Sequence, residues 1–256
     1  MDIQSLFGVR GKVVLVTGGS RGIGLMIADG FVQNGAKVYI SSRNAKSCEE
    51  ASKMLTAKGP GTCHSLPADM QKTEDILRLV EQLKACEPNG INVLVNNAGA
   101  TWGEPLETFP MTAFHKVMNL NVINVFYLTQ QLLPLLEKKA SKGDPSRVIN
   151  IGSVAGERNS DAPTFSYAAS KAALHHLTRT LSVFMGPRNI TVNVVAPGPF
   201  PSKMMDETLR KNKESILGRI PLGRIGEPED MAGACIYLSS KAGAYTNGAV
   251  LVVAGG

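Results

Sequence analysis

Tyr167 and Lys171 stand four residues apart in Ser166-Tyr167-Ala168-Ala169-Ser170-Lys171-Ala172-Ala173, a stretch of helical character. That spacing puts both side chains on one helix face, about one turn apart. A free tyrosine ionises near pH ~10, too high to exchange protons well at neutral pH. A neighbouring ammonium favours the phenolate, so the pair predicts a tyrosine tuned downward into a general acid/base. Tyr–Lys pairs also arise on helices by chance, and a third residue strengthens the pattern. Ser153 ends the apolar run Val148-Ile149-Asn150-Ile151-Gly152, at the strand edge where ligands bind on parallel sheets.

The second constellation is Thr17-Gly18-Gly19-Ser20-Arg21-Gly22-Ile23-Gly24. Gly18, Gly22 and Gly24 allow a tight turn and let the backbone approach a pyrophosphate at a helix N-terminus, where unpaired N–H groups and the dipole favour an anion. Tight strand-to-helix turns use glycine for packing alone, so the weight rests on this loop's place between a first strand and a helix. The second strand ends Ser41-Ser42-Arg43-Asn44, without the carboxylate that binds a ribose 2′-hydroxyl in NAD sites. Arg43 can instead grip a 2′-phosphate with its planar fork, and Ser42 can add a hydroxyl. The competing reading of Arg43 is an exposed loop residue. The balance predicts NADP(H).

Such groups need a sheet to hold them. Lys12–Thr17, Lys37–Ile40, Asn92–Val95, Arg147–Ile151 and Thr191–Val195 are apolar almost throughout, as buried parallel strands are, with weaker strands expected near Thr62–Leu66 and Ala249–Val253. Amphipathic stretches at Ile23–Asn34, Ala45–Lys58, Thr73–Cys86, Val122–Lys139 and Phe165–Phe184 alternate with them. The alternation predicts an α/β fold of right-handed βαβ units, a Rossmann-type doubly wound sheet with helices on both faces. No linker or repeat divides the 256 residues, so residues 1–256 read as one domain, with a substrate-loop excursion about 199–220.

Composition narrows the function classes. With 43% hydrophobic and 19% charged residues, the chain can bury a large core. The net charge of +6 is scattered, the densest run being Arg210-Lys211-Asn212-Lys213, and aromatics are only 5%. Nucleic-acid binders concentrate charge and stacking rings, so an enzyme for anionic ligands is the better expectation. Cys48, Cys63, Cys86 and Cys235 lack metal-site or disulfide spacing, so no metal is expected. The N-terminus lacks a signal-peptide pattern and no apolar run spans a bilayer, which predicts a cytoplasmic protein without a membrane partner.

The chain resembles the short-chain dehydrogenase/reductase family. The resemblance rests on Thr17-Gly18-x-x-x-Gly22-x-Gly24, Asn96-Asn97-Ala98-Gly99, Tyr167-x-x-x-Lys171 and Pro197-Gly198, in the family's order. It implies seven parallel strands in the order 3-2-1-4-5-6-7 and a catalytic tetrad of Asn121, Ser153, Tyr167 and Lys171. In that tetrad Ser153 polarises a substrate carbonyl, Tyr167 protonates its oxygen as NADPH hydride reaches the carbon, Lys171 reaches the nicotinamide ribose, and Asn121 holds a water linking the lysine to solvent. Mid-helix asparagine is locally unfavourable, which also hints at a task for Asn121.

For the cofactor, the resemblance adds Ser20, Ile23 and Arg21, the last as a second arginine for the 2′-phosphate. Asp69, beside Met70, matches the aspartate that bonds the adenine amino group, a helix N-cap being the competing reading. Asn96 steadies the sheet and borders the cofactor, and Asn97, Ala98 and Gly99 are implied to bind it, the last two leaving room for the adenosine ribose. Pro197, Gly198, Phe200 and Ser202 match the nicotinamide clamp, with serine where threonine is usual.

Within the family the chain is most similar to 3-oxoacyl-(acyl carrier protein) reductases of the rhamnolipid-synthesis type, on Gln130–Leu136, Val148–Gly156, Ser170–His175, Ala196–Met204 and Gly243–Val250. This implies reduction of a 3-oxoacyl thioester; a free ketone or secondary-metabolite carbonyl, and more remotely a non-catalytic NADP-binding scaffold, are the alternatives. Met204, Met205, Leu209 and Ile216 fit an apolar substrate or a helix packing on its own core. Lys138, Lys139, Arg188, Arg210, Lys211 and Lys213 fit docking of an acidic carrier protein or a solvated face. The resemblance also implies a homotetramer, or at least a dimer, and Val122, Phe126, Leu132, Leu133, Leu136, Leu174, Leu177, Leu181 and Phe184 predict surplus apolar surface on the long helices. Ala254-Gly255-Gly256 replaces the usual Asp-Gly-Gly, which weakens that expectation at the C-terminal contact.

Overall fold

Val13, Leu15 and Leu94 point to one side of a central sheet and Val14, Val16 and Val95 to the other, and both sets are buried under helices. The computed structural model describes residues 2–159, 162–202 and 205–256, side chains at 206–209, 211 and 212 excepted. Within these residues the strands are β1 (Val13–Thr17), β2 (Lys37–Ser41), β3 (Thr62–Ser65), β4 (Val93–Asn96), β5 (Ser146–Ile151), β6 (Ile190–Pro197) and β7 (Val250–Val253). They form one seven-stranded sheet in the order β3-β2-β1-β4-β5-β6-β7, every pairing parallel. The Rossmann-type architecture and strand order are those expected.

Helices α1 (Ile3–Phe7), α2 (Gly22–Gln33), α3 (Ala45–Lys58), α4 (Thr73–Cys86), α5 (Met111–Met118), α6 (Asn124–Lys139), α7 (Phe165–Met185), α8 (Asp206–Gly218) and α9 (Pro228–Ser239) connect the strands. Ile27, Phe31, Leu55 and Met231 fill one face of the sheet, and Ile76, Leu79, Leu128, Leu132 and Leu136 the other. The helix expected from Val122 instead begins at Asn124, because Asn119–Ile123 forms a π turn joining α5 to α6. Such wide turns interrupt the α ladder and gather at functional sites. Sequence periodicity also passed over α5 and α9, although Pro228 at the first turn of α9 and Asp230, whose carboxylate accepts from Glu227 N–H at 2.8 Å, are start signals.

The crossover from β3 back past β2 and β1 leaves Asn96 and Asn97 at the middle of the sheet's carboxyl edge. Asn96 Nδ2 donates to Asn150 Oδ1 (2.9 Å) and Thr129 Oγ1 (3.1 Å), and Asn150 Nδ2 donates to Thr178 Oγ1 (2.8 Å). All four side chains are buried, so this relay fixes β4, β5, α6 and α7 against one another beneath the site.

Candidate active site

Gly18 has φ +66 and Gly22 φ +54, left-handed conformations that β-carbons disfavour. Space is equally restrictive: a Cβ on Gly24 would lie 2.4 Å from both Asn97 Nδ2 and the Gly18 carbonyl oxygen. Asn97 Nδ2 donates to the carbonyls of Thr17 (2.8 Å) and Gly18 (3.2 Å), while Thr17 Oγ1 accepts from the N–H groups of Asn97 and Ala98, each at 3.0 Å. Asn97 therefore shapes the glycine loop itself. Thr17, whose hydroxyl anchors the β4 turn, was passed over as a site residue, though it opens the glycine motif.

The loop opens α2, with Arg21 exposed at its N-cap and Ser20 and Ile23 half-buried beside it. Arg43 is exposed just beyond β2 and forms no ion pair among the described residues, while Ser42 Oγ donates to the Asn44 carbonyl at 3.2 Å. Asp69 is not a helix N-cap: α4 starts four residues later, with Lys72 at its cap. Asp69 Oδ1 accepts from Gln71 N–H at 3.1 Å, and its own N–H donates to Asp75 Oδ2 at 2.8 Å. Met70 is buried, its carbonyl accepting from Asn124 Nδ2 at 2.6 Å. Opposite the glycine loop, the Ser202 Cβ lies 3.3 Å from the place of a Cβ on Gly22, which brings the segment after β6 against the cradle. Pro197 ends β6, Gly198 N–H donates to the Val253 carbonyl at 2.9 Å, and Phe200 is buried against Gly226. Gly99 packs against Asn121, where a Cβ would stand 3.2 Å from Oδ1.

Ser153, Tyr167 and Lys171 meet at the carboxyl end of β5. The Ser153 hydroxyl is close enough to Tyr167 to lower its pKa, and Ser153 Oγ accepts from Ala155 N–H at 3.2 Å. Lys171 is buried and donates from Nζ to the Ile151 carbonyl at 2.7 Å, with Nζ 5.5 Å from the Tyr167 ring centroid. The expected tuning needs correction here. Burial raises the Tyr167 pKa, and the opposing influence is the Ser153 hydrogen bond rather than the lysine charge. Lys171 itself is pushed down to about 8 by burial.

Asn121 sits within the π turn, 1% exposed. Its Nδ2 donates to the Ala100 carbonyl (2.9 Å) and Ser170 Oγ (3.0 Å), and its Oδ1 accepts from Ala100 N–H (2.9 Å). The side-chain amide is thus committed to framing the site. Two further residues were missed. His175, one turn beyond Lys171, accepts from Ser153 N–H at Nε2 (3.4 Å), and Glu157 meets His175 Nδ1 at 2.6 Å. The i, i+4 spacing of His175 from Lys171 was the available signal; Glu157, in the loop before α7, carried none.

In the substrate segment, Met205 and Ile216 are half-buried, whereas Met204 and the side chains of Leu209 and Lys211 lie outside the described residues. Among the basic residues, Arg188 pairs with Glu137 at 2.7 Å and Lys138 Nζ donates to the Pro88 carbonyl at 2.8 Å, so these two are already engaged within the chain. The apolar surplus on the long helices is smaller than expected. Leu132, Leu136 and Leu174 are in the core, Val122, Leu133, Leu177 and Leu181 are half-buried, and Phe126 and Phe184 are exposed. No helix among the described residues is long and apolar enough to cross a membrane, and no cluster of metal-ligating side chains occurs among them.

Residues 18–256 match the family model described as enoyl-(acyl carrier protein) reductase. The chain is 45% identical over 252 residues to the rhamnolipids biosynthesis 3-oxoacyl-[acyl-carrier-protein] reductase of Pseudomonas aeruginosa, covering 98% of this chain and 97% of that one. Identity to the 3-oxoacyl-[acyl-carrier-protein] reductase FabG of Haemophilus influenzae is 36% over 248 residues, covering 97% and 98%. Among solved structures, the Pseudomonas aeruginosa RhlG/NADP active-site complex matches with a TM-score of 0.93 at 44% identity, over 98% of both chains. The 3-oxoacyl (acyl-carrier-protein) reductase from Agrobacterium tumefaciens with NADP bound matches with a TM-score of 0.90 at 29% identity, over 100% and 98%.

Proposed function

The chain belongs to the short-chain dehydrogenase/reductase family of oxidoreductases, and we propose that it reduces the ketone of a 3-oxoacyl thioester with NADPH. One observation carries the chemistry: Ser153 and Tyr167 come together beyond the end of β5, with the buried Lys171 ammonium 5.5 Å from the centre of the tyrosine ring. A carbonyl oxygen seated between their hydroxyls would accept from both.

The cofactor fits this chain's own residues. A Cβ would collide at Gly18 and Gly24, and Gly22 holds a left-handed φ; this cradle sits at a helix N-terminus suited to a pyrophosphate. Arg21 and Arg43 are the groups for a 2′-phosphate, Asp69 faces the adenine, and Pro197, Gly198, Phe200 and Ser202 border the nicotinamide. Bound there, NADPH supplies the hydride. Ser153 donates a hydrogen bond to the carbonyl oxygen and Tyr167 gives it a proton. Lys171 and a water held at Asn121 restore the proton.

We read residues 1–256 as one catalytic unit in which 199–220 forms the substrate loop, and the working form as a cytoplasmic homotetramer. Exposed Ile123, Phe126, Val183 and Phe184 on or beside the long helices support assembly.

The test is NADPH oxidation with acetoacetyl-CoA and a panel of free ketones. Turnover of acetoacetyl-CoA that disappears in Tyr167→Phe supports the reading. Turnover of free ketones alone moves the substrate class, and activity that survives Tyr167→Phe overturns the assignment of the tyrosine.

A further inference from the structure

His175 is 1% exposed, yet its ring is seated between groups that determine how it is protonated. Nδ1 lies 2.6 Å from Glu157 Oε1 and Nε2 lies 3.4 Å from Ser153 N. A carboxylate only accepts and a main-chain N–H only donates, so the proton sits on Nδ1 and Nε2 offers its lone pair. The chain makes room for the ring on purpose-built glycines. A Cβ on Gly152 would stand 2.1 Å from Nε2, and one on Gly156 2.8 Å from Cε1.

We propose that His175 is a positioning residue for Ser153, held as the Nδ1–H tautomer by Glu157 so that Nε2 fixes the serine main chain. The proposal rests on the carbonyl-reductase reading of the site. Ser153 lies between the last strand residue and a single 3-10 turn, Val154–Gly156, with φ −170 and ψ 152. Its hydroxyl direction follows from where its main chain is held, and a displacement of about 1 Å at a reacting group can cost on the order of a hundredfold in rate. Lys171 holds the Ile151 carbonyl and His175 the Ser153 N–H, from successive turns of α7.

The charged groups facing His175 are Glu157 from the 3-10 turn and Lys171 and Arg179 from α7. Burial, Lys171 and Arg179 disfavour the imidazolium, Glu157 favours it, and the net shift is downward. Protonation at Nε2 would set a donor against the Ser153 N–H, so turnover acquires an acid limb belonging to His175. Neutralising Glu157 removes the group that favours the cation and moves that limb to lower pH.

The experiment compares His175→Asn, His175→Gln and Glu157→Gln by kcat and KM from pH ~5 to ~9, with imidazole 15N spectra of the wild-type chain. Asparagine keeps a polar atom near the Nδ1 position, and glutamine keeps an acceptor near the Nε2 position. Expected results are a kcat loss of about tenfold or more in His175→Asn with little change in KM, substantial recovery in His175→Gln, and an acid limb displaced to lower pH in Glu157→Gln. Equal kcat losses in both histidine variants, an acid limb unmoved in Glu157→Gln, or an Nε2–H tautomer at neutral pH would overturn the proposal. If the wild type reduces no carbonyl while the tautomer is as assigned, the reductase reading itself fails. An active wild type with the wrong tautomer refutes the positioning role alone.

Discussion

Lys171 Nζ donates to the Ile151 carbonyl at 2.7 Å, which ties the buried ammonium to the strand that carries Ser153 rather than to the Tyr167 hydroxyl. One turn on, His175 takes the Ser153 N–H, and Thr178 Oγ1 accepts from Asn150 Nδ2 at 2.8 Å. Helix α7 therefore grips β5 at three successive levels. The relation of Tyr167 to Ser153 is built into the core packing, so cofactor and substrate need not assemble it.

The stability of this arrangement depends on pH in a definite direction. Lys171 has a folded-state pKa of about 8, below its ordinary value of 10.5. Between those values the unfolded chain binds more protons than the folded one, so this group's contribution to stability rises with pH across that window. Its burial is most costly below it. Lys171→Met should lose turnover by about a hundredfold or more near pH ~7 and still melt at or above the wild type there, with the advantage gone near pH ~10. Melting curves at the two pH values check this. A variant that melts below the wild type at neutral pH would mean that the lost Ile151 hydrogen bond outweighs relief of the buried charge.

Cofactor preference should reside in Arg43. It is exposed and makes no ion pair among the described residues, so replacing it disturbs little else. A charge-assisted pair with a phosphate is worth roughly 1.5–3 kcal/mol, and Arg43→Asp also adds a repulsion. The kcat/KM for NADPH should fall by at least about tenfold while that for NADH holds or rises. An unchanged NADPH/NADH ratio would remove Arg43 from the site.

The glycine loop offers a test that separates binding from chemistry. A methyl at position 24 would collide with Asn97 Nδ2 and the Gly18 carbonyl, each at 2.4 Å, and neither can retreat without breaking the bonds that shape the loop. Overpacking of this kind typically costs about 1–3 kcal/mol. Gly24→Ala should weaken NADPH binding by about tenfold or more, read by fluorescence titration, and lower the melting temperature by several degrees. Tight NADPH binding in this variant would place the cofactor away from the loop.

The sheet was legible because its central strands are apolar on both faces, and the seven strands fall within a residue or two of the expected runs. The glycine loop and the Ser153–Tyr167–Lys171 grouping were legible because each stands at a strand end or at a fixed helical spacing. What was not legible depends on contacts distant in sequence. The π turn at Asn119–Ile123 has no period of its own, and Asn121 acquires its meaning from Ala100 and Ser170 across the fold. The direction of the Tyr167 shift likewise depends on burial and on where Lys171 points, which i, i+4 spacing does not determine. Glu157 and His175 read as a loop carboxylate and one more helix residue until Gly152 and Gly156 are seen to admit the ring.

Assembly is the remaining prediction, and the structure changes which residues carry it. Leu132, Leu136 and Leu174 are consumed by the chain's own core and leave nothing for a partner. Val183 and Phe184 near the end of α7 are 70% and 71% exposed, and Ile123 and Phe126 at the start of α6 are 56% and 40% exposed. Solvent-facing side chains of this size on two long helices cost apolar hydration that a second subunit would relieve, at about 25 cal/mol for each Å² covered. The expected state is a tetramer, with a dimer on these helices as its smaller unit. Phe184→Glu and Ile123→Glu alter no residue assigned to the site and lie outside the core. Each should shift light-scattering mass toward smaller species while the fold is retained by circular dichroism. A wild-type chain that scatters as a monomer at micromolar concentration, with both variants unchanged, would refute the interface.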